Sequence, residues 1–287
     1  MALPTCKNRT CCPDGPVGTH RPETVSTEDI NIASNLVTPV APPGYRVVHV
    51  ARCRSTNLLA RDAAREGAVS GTVFTTDDQT EGRGRHGRTW VSSAGQNLLF
   101  SVLLRPGEPV SDWGRYGMMA GLAVTDALSD AGAGLKWPND IVVDGRKCGG
   151  ILLERVTAVS PNAAHAARPA LVVGIGLNVN QTDFPGDYAV EPVSVALCVG
   201  RPVSREALLH AILRGMTRWQ AADVVELRAM YRQRLVHLGS RVSVRPMDGA
   251  QAVEGTAVDV ASDGALVVDV HGERRTFHAG DVTLRSA

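Results

Sequence analysis

The stretch "TEGRGRHGRTW", Thr80 to Trp90, concentrates the residues best suited to chemistry: Arg83, Arg85 and Arg88 among Gly82, Gly84 and Gly87. Arginine is permanently charged and offers paired donors to carboxylate or phosphate. The glycines let the backbone bend and approach a ligand closely. Together they suit a loop that closes over a small anion. Gly82 to Gly87 also spells G-x-G-x-x-G, the dinucleotide fingerprint. That fingerprint needs a strand running in and a helix running out. Here polar "TDDQTE" precedes the glycines, and turn and strand residues follow. A nucleic-acid reading meets acidic flanks (Asp77, Asp78, Glu81), only 4% aromatic residues and no recognition helix. The plain alternative is a solvated surface loop whose arginines pair with those flanking acids.

Other groups favour the anion reading. "KWPND" sets Lys136, Asn139 and Asp140 around Pro138, a set able to take a triphosphate and its Mg²⁺, or to form a structural turn. "RKCGGILLE" puts Lys147 on the second arm of a hairpin, beside a glycine pair that another backbone or a ligand can approach. "GIGLNVN" places Gly174 and Gly176 inside an apolar strand, and Asn178 there needs a hydrogen-bond partner. No Ser-His-Asp set is present.

These residues need a scaffold. The chain has 287 residues, 44% hydrophobic and 21% charged, enough for one large and one small folded unit. Net charge is +1, so any basic function is local. Of six cysteines, Cys6, Cys11 and Cys12 crowd the N-terminus without a zinc-type spacing. No apolar run approaches a membrane span and no secretory h-region opens the chain, which points to a cytoplasmic protein.

Residues 1–44 read as a disordered arm rich in Pro, Thr, Asn and Gly. Strands are expected at Tyr45–Cys53, through "GTVFTTDDQ", over Asn97–Pro106 (apolar enough to be buried on both faces) and through "ALVVGIGLNVN". A helix should start at Ser55, present Leu58, Leu59, Ala63 and Ala64 to the core, and stop at Gly67. Further helices are expected over Asp112–Ala131, from Ser204 through Gln220, and from Asp223 to Leu235. Asp144-Gly145 signals a hairpin, and residues 157–169 a loop. From Ser240, short alternating strands with Asp-Gly and His-Gly turns suggest a small β-barrel. The expected class is α+β, a mixed sheet flanked by helices plus this barrel, divided as residues 1–44, 45–237 and 238–287.

The ordered motifs "STN", Q-x-x-G-R-G-R-x-G-R-x-W, "KWPND", R-K-x-x-G-I-L and G-x-G-x-N make the chain, from about Tyr45 to Ala287, resemble a bacterial biotin–protein ligase. The resemblance implies a class II aminoacyl-tRNA synthetase-like catalytic domain with an SH3-like C-terminal barrel. It implies a two-step reaction: biotin and MgATP give biotinyl-5′-AMP, then a lysine of a biotin carboxyl carrier domain takes the biotin. By motif, the biotin site would comprise Ser55, Thr56, Asn57, Gln79, Gly82, Arg83, Gly84, Arg85, Lys147, Gly150 and Gly174. The ATP and adenylate site would comprise Arg83, Arg85, Arg88, Trp90, Lys136, Asn139, Lys147 and Asn178. Gly176 would join the pocket floor. Asp140 would be the Mg²⁺ ligand, and Lys147 and Arg85 the catalytic pair.

Two departures from the family pattern stand out. His86 occupies a position that is often arginine, so one permanent charge becomes titratable, which would loosen adenylate retention unless the side chain faces solvent. The DNA-binding helix-turn-helix of bifunctional relatives is missing, which leads to the expectation of a monofunctional enzyme that binds no nucleic acid; a monomer or weak homodimer that binds no membrane is expected as well. The competing functions are a lipoate or other acyl ligase on the same fold, and a regulatory protein that holds biotinyl-AMP.

Overall fold

The computed structural model describes residues 41–157, 168–246, 250–278 and 280–284. The expected N-terminal arm, most of the 157–169 loop, the Asp248-Gly249 turn and the closing "RSA" lie outside these residues.

A seven-stranded sheet runs β1-β2-β3-β7-β6-β5-β4. Its strands are β1 (Arg46–Cys53), β2 (Thr72–Gln79), β3 (Leu98–Leu104), β4 (Gly134–Lys136), β5 (Asp140–Val143), β6 (Arg146–Val156) and β7 (Ala170–Leu177). Only β1 and β2 pair in parallel, joined through helix α1 (Thr56–Arg65); the other pairs are antiparallel. Strand β3 is buried at every position, as its unbroken apolar run predicts. Asp144 and Gly145 both take positive φ, 49° and 75°, at the hairpin between β5 and β6.

One face of the sheet packs on α2 (Arg115–Ala127) and carries the main core, which includes α4 (Arg205–Ala221) and α5 (Val224–Arg234). Alternation sends Leu171, Val173, Ile175 and Leu177 of β7 into that core. The other face meets α1 in a small core of Val48, Ala60, Ala63, Ala64, Phe74, Leu103, Val156, Ala170 and Val172. Continuing in steps of two along β7, the next residues on this face are Gly174 and Gly176. The apolar packing stops there: Asn57 and the Trp90 ring take the positions the two side chains would fill, and an open space begins beside them.

Two helix expectations need correction. The buried positions of α1 are Thr56, Asn57, Ala60, Ala63 and Ala64, while Leu58 and Leu59 are half-buried. Its first turn points polar groups at the open space instead of apolar ones at a core. Ser55 precedes the helix with extended dihedrals but its side chain makes no cap hydrogen bond. The expected Asp112–Ala131 helix is shorter at both ends, with 3₁₀ turns at Val110–Gly114 and Ser129–Ala131 around α2. A short helix that the sequence reading omitted, α3, covers Val195–Val199, with the Ser194 hydroxyl accepting from Leu197 N.

The remaining strands, β8 (Arg241–Arg245), β9 (Val253–Val260), β10 (Leu266–Val270), β11 (Glu273–Phe277) and β12 (Asp281–Leu284), form a five-stranded antiparallel sheet in the order β11-β10-β9-β8-β12. It docks on the larger unit tightly. Trp137 Nε1 donates to Gly264 O at 2.9 Å, and a Cβ on Gly114 would lie 1.9 Å from Asp263 O. Arg228 adds a 2.6 Å ion pair with Asp259.

His237 sits where α5 gives way to β8. It is fully buried, and neither ring nitrogen has a partner among the described residues. Burial, and secondarily the charge of Lys136, lower its pKa from 6.5 to about 4. Below pH 6.5 the unfolded imidazole therefore takes a proton that the native one refuses. Its contribution to stability is complete above that value and is lost as pH falls toward about 4. Urea unfolding at about pH 5 should show roughly 2 kcal/mol less stability from this group than at about pH 7.5. A His237→Leu protein should be less acid-sensitive by that margin, and an unchanged pH profile would refute the assignment.

Candidate active site

The open space on the α1 face is a cavity of about 520 Å³, the size of a typical small-molecule site. Its floor is Gly150 of β6 with Gly174 and Gly176 of β7. Register sets Gly150 opposite Gly176 and Leu152 opposite Gly174. A Cβ on Gly174 would lie 2.0 Å from Asn57 Oδ1, and one on Gly176 would lie 2.9 Å from the Trp90 ring. The strand glycines thus admit one side chain from α1 and one from the arginine loop.

At one end, Thr56 and Gln79 form a polar wall. Gln79 Oε1 accepts from Thr56 N at 2.8 Å and from Thr56 Oγ1 at 3.2 Å. Ser101 Oγ, buried on β3, lies 2.6 Å from Asn57 Oδ1 and 2.8 Å from Thr56 Oγ1. Ser55, 2% exposed, also lines the cavity. Such a wall can hold a ring with both donors and acceptors.

At the other end, Lys147 Nζ lies 2.6 Å from Asp140 Oδ1. The Lys147 backbone is fixed on both sides: its N–H donates to Glu191 O at 2.7 Å, and its carbonyl accepts from Val193 N at 2.9 Å. Lys136 and Asn139 line the same end. Asn139 Oδ1 accepts from Arg85 Nη1 at 3.1 Å, and its Nδ2 donates to Ile151 O at 3.1 Å. Burial lowers the Arg85 guanidinium pKa below its ordinary value, opposed by Asp281 and Asp140.

The loop between these ends is a small hairpin. Trp90 N donates to Gly82 O at 2.9 Å, Gly84 N donates to Arg88 O at 2.7 Å, and Arg83 bridges Thr89. Its arginines do not pair with the flanking acids: Asp78 binds Arg52 at 3.1 Å, Glu81 binds Arg54 at 2.8 Å, and Asp77 binds His49 and Arg205 at 3.2 and 2.9 Å. They reach distant anchors instead. Arg83 meets Glu154 at 3.2 Å, Arg85 meets Asn139, and Arg88 pairs with Asp281 of β12. The plain surface-loop reading therefore fails on geometry. His86 stands exposed at the hairpin tip with φ 58°, and its pKa is lowered, by desolvation first and by Arg85 next.

Of the residues singled out in the sequence, Ser55, Thr56, Asn57, Gln79, Arg83, Gly84, Arg85, Arg88, Trp90, Lys136, Asn139, Asp140, Lys147, Gly150, Gly174 and Gly176 line this one cavity. Two do not. Gly82 closes the hairpin base, where a Cβ would lie 2.3 Å from Trp90 O. Asn178 turns away: its Nδ2 donates to Val193 O at 3.2 Å and Lys147 O at 3.4 Å, so it braces Lys147 from behind instead of facing a nucleotide. The sequence reading missed Ser101, Glu154, Tyr188 and Asp281. Glu154 carries a local signal, a charge in an apolar strand, but its partners are remote in sequence.

Residues 50–176 match the Biotin/lipoate A/B protein ligase family, and residues 237–285 match the Biotin protein ligase C terminal domain. Over 257 residues the chain is 38% identical to a biotin–[acetyl-CoA-carboxylase] ligase of Mycobacterium tuberculosis, covering 84% of this chain and 90% of that protein. The chain belongs to the biotin protein ligase family. A biotin–[acetyl-CoA-carboxylase] ligase of Paracoccus denitrificans is 31% identical, covering 81% of this chain and 98% of that one. The structure of the biotin protein ligase from Aquifex aeolicus in complex with biotin and ATP superposes with a TM-score of 0.69 at 25% identity, covering 84% and 99% of the two chains.

For a member of the biotin protein ligase family, the metal question is one of donor chemistry. Among the described residues no three His, Cys, Asp or Glu side chains converge to hold an ion. Asp140 and Asp281 line the cavity. Mg²⁺ keeps several waters and takes one or two carboxylates plus substrate phosphates, so this set fits an ion that arrives with a nucleotide. No described helix is long and apolar enough to cross a membrane.

Proposed function

We propose that this biotin protein ligase activates biotin with MgATP to biotinyl-5′-AMP and transfers it to a lysine of a biotin carboxyl carrier domain. The observation that carries the reading is one cavity with a polar, glycine-floored end and a cationic end, bridged by the arginine hairpin. The biotin ring would lie against Thr56, Asn57 and Gln79, with its carboxylate toward Lys147. Lys136, Arg85, Arg88 and Asn139 would receive the nucleotide phosphates. Bringing a carboxylate to a triphosphate opposes like charges, and fixed cations that neutralise the developing charge lower that barrier. Asp140 orients Lys147 and would hold Mg²⁺, which supplies charge neutralisation at the phosphoryl oxygens when bound. The hairpin would exclude water from a mixed anhydride that hydrolyses readily. Residues 45–237 would form the catalytic domain and 238–287 the C-terminal one.

The test incubates the purified chain with biotin, MgATP and an isolated carrier domain, followed by intact mass spectrometry. A biotinyl mass gain that needs both substrates supports the reading. Absence of both the gain and the adenylate, with a carrier that a relative can biotinylate, would overturn it.

A further inference from the structure

We infer that Glu154 is a positioning residue that keeps the arginine hairpin closed over the Gly174 end of the cavity, and so retains the adenylate; this rests on the ligase reading above. The three arginines of the hairpin have three separate anchors. Two of them, Asn139 and Asp281, stand at the cationic end and on the C-terminal sheet. Glu154 alone serves the opposite end, beside the polar wall. It follows Gly150 and Leu152 in steps of two on β6, so its carboxylate rises from the face that floors the cavity.

Its surroundings are built for an anion. The carboxylate is 18% exposed and lies 3.2 Å from Arg83 and 3.7 Å from Arg61. Asn57 Nδ2 donates to it at 2.8 Å. Asn57 in turn occupies the hole above Gly174 and meets Ser101. One carboxylate thus ties the hairpin, α1 and the sheet floor together. Being partly shielded, the pair is screened less than a surface ion pair, and removing one partner leaves the other poorly solvated. The hairpin is also seated by the Trp90 ring on Gly176 and by the Arg54–Glu81 pair at its base, so Glu154 is the anchor of Arg83 in particular.

Glu154→Gln keeps the acceptor for Asn57 and removes the charge that holds Arg83. In the ligand-free protein, hydrogen exchange at the hairpin amides of Gly84 and Trp90 should quicken by about 5- to 10-fold, the scale of a partly buried ion pair. In the loaded enzyme, biotinyl-AMP release should quicken by a similar factor while the single-turnover adenylation rate stays within about twofold. Arg83→Gln should quicken hairpin exchange and adenylate release by the same factor, and the double variant should add nothing to either. Unchanged exchange in the single variants, unchanged release from a loaded enzyme, or additive effects would overturn the proposal. If Glu154→Gln does not fold, Arg83→Gln on the exposed hairpin decides alone. A wild-type protein that makes no adenylate, yet whose hairpin loosens in the variants, would sink the ligase reading and leave the latch standing.

Discussion

Lys147→Ala should lower the rate of biotinyl-AMP formation by about 10³-fold, with unfolding by urea little changed. The ammonium group, 31% exposed, stands at the end where a carboxylate and a phosphate must meet. Its backbone is clamped between Glu191 and Val193, and Asn178 braces the same carbonyl from behind. The side chain is therefore delivered to one place without reorganisation, which is the condition for a large electrostatic contribution. Removing it leaves Asp140 without its 2.6 Å partner, which weakens the positive field at that end. Lys147→Arg should recover little, because a planar fork cannot replace a compact charge at that distance. Adenylation followed by intact-mass or pyrophosphate-release assay checks this. A loss below about tenfold would remove Lys147 from the chemistry and shift attention to Lys136 and Arg85.

Gly174→Ala should abolish measurable biotin binding and destabilise the fold by about 2 kcal/mol. The added methyl would lie 2.0 Å from Asn57 Oδ1 and 2.8 Å from its Cγ. Asn57 is 4% exposed, so it has no solvent to retreat into without breaking its bonds with Ser101 and Glu154. The substitution thereby disturbs the polar wall and the hairpin latch at once. Calorimetric titration with biotin and urea unfolding, run on the same preparation, separate the two effects. Affinity for biotin within about threefold of wild type would show that the ring does not lie against Asn57.

Much of this protein was determined locally. The apolar run of Leu98–Leu104 had to be a buried strand, and Asp144-Gly145 had to turn back on itself, because short-range sterics and burial leave no alternative. The glycine pair in β7 was legible as a place of close approach, and the order of the arginine, "KWPND" and lysine motifs by itself pointed to the family. Tertiary structure alone decided which partners those residues meet. Asp281 is 193 residues from Arg88, and Glu154 is 97 from Asn57, so only the order of strands and the docking of the C-terminal sheet bring them together. Asn178 shows the limit most plainly. It follows β7, which ends at Leu177, and past the end of a strand the two-residue alternation no longer dictates which way a side chain points. The flanking acids Asp77, Asp78 and Glu81 were plausible mates for the loop arginines by proximity in sequence. Nearer basic groups on β1, the β1–α1 turn and α4 claimed them, because a hairpin folded over the cavity carries its arginines away from its own base.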